Sequence, residues 1–154
     1  MGEMHKSIAI ELFNLTWDLI DKENKNQTEI DQMINAAHAS RYHWEIVGQA
    51  VNLARGEWLI SRVYALLNRS EPCLYHASRC LEITLENDLK DFDLAFAYEA
   101  MARATHISGN EVQSAKYSTL AGEAGGHIQD ANDQKYFFSE LQTIHPGTEK
   151  SQGT

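Results

Sequence analysis

The stretch WLISRVYALLNRSEPCLYHASRCL, Trp58–Leu81, decides the architecture. Leu59, Ile60, Val63, Tyr64, Leu66 and Leu67 recur at helical spacing, so the first part reads as a helix with one apolar face. Asn68 and Arg69 break that pattern. Ser70-Glu71-Pro72 then reads as a new helix start, because proline lacks only an N–H that the first helical turn leaves unpaired anyway. Beyond it, the small residues Cys73, Ala77 and Cys80 fall on one face. The whole stretch is therefore helix, turn, helix.

A second copy of this plan lies in EAMARATHISGNEVQSAKYSTLAG, Glu99–Gly122. Ile60 and Met101 are 41 residues apart, as are Ser61 and Ala102, Arg62 and Arg103, and Asn68 and Gly109, whereas Tyr75 and Tyr117 are 42 apart. On the longer spacing, Ala115, Thr119 and Gly122 take the places of Cys73, Ala77 and Cys80, with one extra residue between Gly109 and Ala115. Such internal repetition is the mark of stacked supersecondary units.

Further elements follow outward from this pair. Ile8, Leu12, Leu15 and Leu19 form one stripe of a first helix and Phe13, Trp17 and Ile20 a second. A polar break at Lys22–Gln27 ends it, Thr28 with Asp31 reads as a cap, and Ile30, Met33, Ile34, Ala37, Trp44 and Val47 carry a second helix to Gly48. The third runs from Val51 to Leu67 and the fourth to Glu86. Asp91 caps a fifth helix that stops at Gly109, and Asn110 with Gln113 opens a sixth that fades at Gly125-Gly126. Phe137, Leu141 and Ile144 define a closing helix. The expected organisation is one all-α domain over 4–145, with hairpins at 4–48, 50–86 and 91–127, a closing helix at 130–144 and a flexible tail at 146–154.

Composition agrees with this. The chain has 154 residues, 43% of them hydrophobic, enough for a core without metals or disulfides. The only prolines are Pro72 and Pro146. A net charge of −9 disfavours nucleic acid or an anionic membrane as partner, since both require basic surface. That charge is uneven: between Arg41 and Arg103, six arginines and Lys90 face nine acids, so most of the acidity lies in the flanks. Cys73 and Cys80 stand ~10.5 Å apart along a helix axis, beyond the roughly 7 Å limit for a disulfide. Free thiols, with no signal peptide or long apolar span, suit the reducing cytoplasm.

The repeated hairpin, with a large-then-small pair in its first helix and small residues in its second, resembles the tetratricopeptide repeat over residues 50–127. The spacing of 41 to 42 exceeds that repeat's usual length of about 34, and Glu57 stands where an aromatic residue is expected. The whole chain also resembles small bacterial proteins of this type, through His38-Ala-Ser-Arg-Tyr-His-Trp44, Ala54-Arg-Gly-Glu-Trp58 and Asp91-Phe-Asp-Leu-Ala-Phe-Ala-Tyr-Glu99. The resemblance implies a right-handed stack of αα-hairpins, a tetratricopeptide-like α-solenoid whose first helices line a concave face. It implies no chemistry.

All six arginines fall between positions 41 and 103, and guanidinium recognises carboxylate and phosphate in a planar, two-pronged way. Arg55, Trp58 and Arg62 share a face of the third helix, and Arg103 takes the place of Arg62 on the fifth. With Glu99 these residues are expected to form a concave patch for a peptide or partner protein bearing an acidic group, or for a small anionic molecule. The competing reading is an internal network, with the arginines held by Glu57, Glu99 or Asp93. His38, Arg41, Tyr42 and Glu45 share a face of the second helix, either as a ligand group with His38 oriented by Glu45, or as a polar seam between hairpins. Cys73, His76 and Cys80 carry zinc-type ligands on one face, but need a distant fourth such as His43 or His106, and the cysteines also suit buried packing. No phosphate loop, His-Glu-x-x-His, Gly-x-Ser-x-Gly or paired CxxC occurs. The expectation is a non-enzymatic interaction module without cofactor, its oligomeric state left open.

Overall fold

The computed structural model describes residues 1–145; the expected tail at 146–154 lies outside them. The described residues are all-helical, without strands. The helices are α1 (Gly2–Asp21), α2 (Gln27–Val47), α3 (Ala50–Leu66), α4 (Ser70–Glu86), α5 (Phe92–Ile107), α6 (Glu111–Gly125) and α7 (Ala131–Leu141), followed by a 3₁₀ turn at Gln142–Ile144. Helices α1 and α2, α3 and α4, and α5 and α6 pack as hairpins. Between hairpins, α2 lies on α3 and α4 on α5, α3 also touches α5, and α7 lies against α5 and α6.

The turns explain the boundaries. At Asn68 and Gly109 the backbone has φ of 56° and 81°, the left-handed region where asparagine and glycine are tolerated best. In both turns the following N–H reaches back five residues, Arg69 to the Tyr64 carbonyl and Asn110 to the Thr105 carbonyl, each at 2.9 Å. This is the Schellman closure, which satisfies carbonyls left free at a helix end. The repeated turn read from the sequence is thus one backbone device, which also closes α4, where Asp88 has φ of 53° and the Leu89 N–H reaches the Thr84 carbonyl at 2.9 Å. Helix α2 begins differently from expectation: Asn26, not Thr28, caps it, its side chain accepting from the Glu29 N–H while Glu29 accepts from the Asn26 N–H. Lys22 also pairs with Glu29. Thr28 lies inside the helix. Asp91 accepts from Phe92 N–H and Asn110 from Gln113 N–H, as expected.

Burial corrects the register of the second hairpin. Ser114 and Ala121 are buried and Ser118 is half-buried, while Ala115 and Thr119 are exposed. Those inward positions lie 41 residues after Cys73, Cys80 and Ala77, so one spacing holds throughout and no extra residue intervenes. Tyr75 and Tyr117 had suggested 42, but Tyr75 is exposed and does not define the packing face. Between α5 and α6, the Ser114 hydroxyl donates to the Ala102 carbonyl at 3.0 Å.

The core runs through all three hairpins, with Leu19, Met33, Leu59, Ile60, Val63, Ala77, Ala97, Ala104 and Phe137 in one cluster. Alanine is frequent on α5 because that helix is flanked by α3, α4, α6 and α7, and small side chains let backbones approach. None of the described helices is long and apolar enough to cross a membrane.

Candidate functional site

Four helices each contribute residues three or four apart to one cavity of about 470 Å³. Phe13 and Trp17 come from α1, Ala54, Arg55 and Trp58 from α3, Phe92, Asp93 and Phe96 from α5, and Asp133 and Tyr136 from α7. Cys80 is also part of the lining. The cavity therefore sits on the first helices of the three hairpins, with the closing helix as its last wall. Among the described residues α1 and α7 do not touch.

The aromatic side chains form a connected wall. Trp17 stacks on Trp58 with ring centroids 5.6 Å apart, Trp58 meets Phe96 edge-on at 5.5 Å, and Phe96 contacts Phe92 at 4.6 Å and Tyr136 at 5.9 Å. Such contacts hold rings in fixed orientations. Arg55 donates to both carboxylate oxygens of Asp93, at 2.8 and 3.2 Å, and lies 5.8 Å over the Phe92 ring. The Asp93 hydrogen bond raises the Arg55 pKa further, so its charge is permanent but already matched. Asp133 is exposed. Burial, with Glu140 nearby, pushes the Tyr136 hydroxyl above its ordinary pKa and keeps it protonated at neutral pH.

Behind this wall lies an ion-pair network. Glu99, 0% exposed, accepts from Trp58 Nε1 at 2.9 Å, from Arg103 at 2.7 Å and from Arg62 at 3.4 Å. Arg62 also donates to Glu140 of α7 at 2.8 Å, and Arg103 reaches the Glu140 carbonyl at 3.1 Å and the Thr143 hydroxyl at 2.8 Å. Arg62 and Arg103 are therefore held between α3, α5, α7 and the 3₁₀ turn, with only 16% and 13% of their side chains exposed. Of the expected binding set, Arg55 and Trp58 line the cavity; Arg62, Glu99 and Arg103 do not.

Arg41 and His38 belong to a third group. Glu57, buried in α3, accepts from or pairs with His76 at 2.7 Å and stands 3.4 Å from the Arg41 guanidinium. These partners give the buried Glu57 carboxylate its role between α2, α3 and α4. His38 Nε2 lies 2.9 Å from the Tyr64 hydroxyl, and Glu45 instead stands exposed, 4.0 Å from Arg41. The expected orientation of His38 by Glu45 is thus replaced by Tyr64. Partial burial and the neighbouring His76 lower the His38 pKa, outweighing the opposite pull of Glu57.

Cys73, His76 and Cys80 are not brought together as ligands. Both cysteines are buried and His76 is turned to Glu57. Burial pushes the Cys73 thiol up to about 12 and raises that of Cys80 as well, which opposes the thiolate form that metals need.

Sequence reasoning missed most of the cavity. Trp17 reads as core, and Phe13, Phe92, Phe96, Asp133 and Tyr136 are scattered over 124 residues with no joint spacing. The available signal was aromatic residues recurring at the inward positions of successive first helices. No protein-family model, curated protein or solved structure matches the chain.

Proposed function

We propose that this protein is a non-enzymatic, tetratricopeptide-like binding module of the cytoplasm, whose aromatic cavity receives a side chain presented by a partner peptide. The observation that carries the reading is the wall of Phe13, Trp17, Trp58, Phe92, Phe96 and Tyr136, which leaves a half-open space rather than closing into core. The stacked-hairpin part rests on the matching turns at Asn68 and Gly109, the constant 41-residue burial register and the contacts of α3 with α5.

Charge sets the preferred guest. Arg55 is paired with Asp93 and also feels Asp133, so one cation faces two carboxylates and the lining, negative by one charge, favours a cation. Aromatic faces attract cations as well. The acidic partner suggested by the arginines is thereby exchanged for an apolar or aromatic side chain ending in a positive charge. The cavity volume also falls within the range of small-molecule sites, roughly 300–1,000 Å³, which favours a free aromatic amine as the second reading.

Fluorescence of Trp17 and Trp58 tests this, in a Trp44→Phe background titrated with tyramine, p-cresol and 4-hydroxyphenylacetate. The expected order of affinity is cation, neutral, anion, and Asp133→Asn should narrow the gap between the first two. Preference for the anion, or saturable binding that survives Trp17→Ala with Tyr136→Ala, would overturn the reading. Joining the ammonium group to a peptide, as a terminal arginine or lysine, separates the two guests: tighter binding supports a peptide, exclusion supports a free amine.

A further inference from the structure

Away from the cavity, three side chains from three segments meet at one point. His106 ends α5, Glu111 begins α6, and His145 follows the 3₁₀ turn. One ligand atom from each lies within 4.8 Å of both others. His106 Nδ1 is 2.8 Å from Glu111 Oε1, and the imidazoles of His106 and His145 are 4.3 Å apart between centroids, edge to face. We propose that His106, Glu111 and His145 form a binding site for a divalent transition metal, with zinc the ion that suits them.

The chemistry follows from the donors. Zinc binds imidazole nitrogen and carboxylate oxygen at about 2.0–2.2 Å, so tetrahedral ligand atoms stand roughly 3.3–3.5 Å from one another. The ligand atoms, all within 4.8 Å of one another, bracket that spacing. Two imidazoles with one carboxylate favour zinc, copper or nickel over calcium and magnesium, which prefer oxygen. His106 and His145 are half-buried and Glu111 is exposed, which leaves room for water as a fourth ligand. The Schellman turn at Gly109 brings Glu111 back beside His106, and Ser114 Oγ, 3.4 Å from His145 Nε2, helps to hold that ring.

The consequence is a tie across the fold. His145 follows Thr143, which Arg103 holds, so a metal on His145 fixes the end of the segment that begins as α7. Asp133 and Tyr136 on α7 line the cavity, and metal binding would stabilise that wall.

The test uses the full chain, stripped with a chelator and titrated with zinc chloride at pH 7.5 against a chromophoric competitor, with thermal melts in parallel. One equivalent of zinc is expected to bind and raise Tm, while calcium does neither. His106→Ala and His145→Ala should abolish both effects, and Glu111→Gln should weaken binding by more than about tenfold. His43→Ala removes another close histidine pair, His5 with His43 at 2.9 Å, and should change neither. Far-UV circular dichroism checks that each variant is folded, and Glu111→Gln keeps the side-chain volume. No saturable zinc binding by the wild type, or loss in His43→Ala with retention in His106→Ala, would overturn the site.

Discussion

The indole Nε1 of Trp58 donates to Glu99 Oε1 at 2.9 Å across the α3–α5 contact, so one residue joins the aromatic wall to the ion pairs behind it. Trp58 is 8% exposed and Glu99 is fully buried. Glutamine keeps one acceptor oxygen but removes the charge that both guanidinium groups share and sets an NH2 donor against a neighbouring N–H donor. Glu99→Gln should therefore lower the unfolding free energy by about 3–5 kcal/mol, read by urea titration, and should shift Trp58 emission. A change below about 1 kcal/mol would show the network to be energetically idle.

Two helical glycines give opposite predictions from their surroundings. A Cβ on Gly125 would lie 2.5 Å from Phe137 Cε2 and 2.9 Å from Phe138 Cζ, and the Phe137 ring is fully buried in the core cluster. Gly125→Ala should cost about 1–3 kcal/mol by forcing α7 off α6. At Gly56 the nearest atom is Cδ of the Arg41 side chain, at 2.8 Å. That side chain can shift only at some cost to its contact with Glu57, but alanine is the better helix former and offsets that cost, so Gly56→Ala should stay within about 1 kcal/mol of wild type. Chemical denaturation of both variants checks the contrast.

His38 makes stability depend on mild acid. Burial and the nearby His76 lower its folded pKa below the ordinary 6.5, with Tyr64 within hydrogen-bond distance and Glu57 only partly opposing the shift. As pH falls through 6.5 the unfolded chain takes up this proton first, so stability falls, and the loss levels off once pH passes below the folded pKa. Stability should rise with pH up to about 6.5, and His38→Gln should flatten part of that slope. An identical slope in the variant, followed by melts from pH 5 to 8, would contradict the assignment.

The thiols should be silent in the native state. Burial raises the pKa of Cys73 to about 12 and lifts Cys80 too, so almost no thiolate exists at pH 8. A disulfide-exchange reagent should label neither at an appreciable rate in buffer and both in concentrated urea. Fast native labelling of Cys80, which contributes to the cavity lining, would mean that the cavity opens more deeply than this conformation does.

The amino-acid sequence by itself determined the helices and most of their ends, the start of α2 at Asn26 rather than Thr28 being the exception. Those signals are local: Asn68 and Gly109 can take the left-handed turn, Asp91 and Asn110 can cap, and apolar residues three and four apart must share a face. Repetition between Arg62 and Arg103 likewise announced two hairpins on one plan. Register was harder to read, because an exposed Tyr75 matches Tyr117 as a letter while burial alone selects Ser114, Ser118 and Ala121. Only the tertiary structure decided what the arginines do. Arg62 meets Glu99 at 37 residues' distance and Glu140 at 78, and no local rule ranks those carboxylates against a ligand. The cavity is non-local in the same way, since it exists only where α1, α3, α5 and α7 converge and each supplies two or three of its side chains.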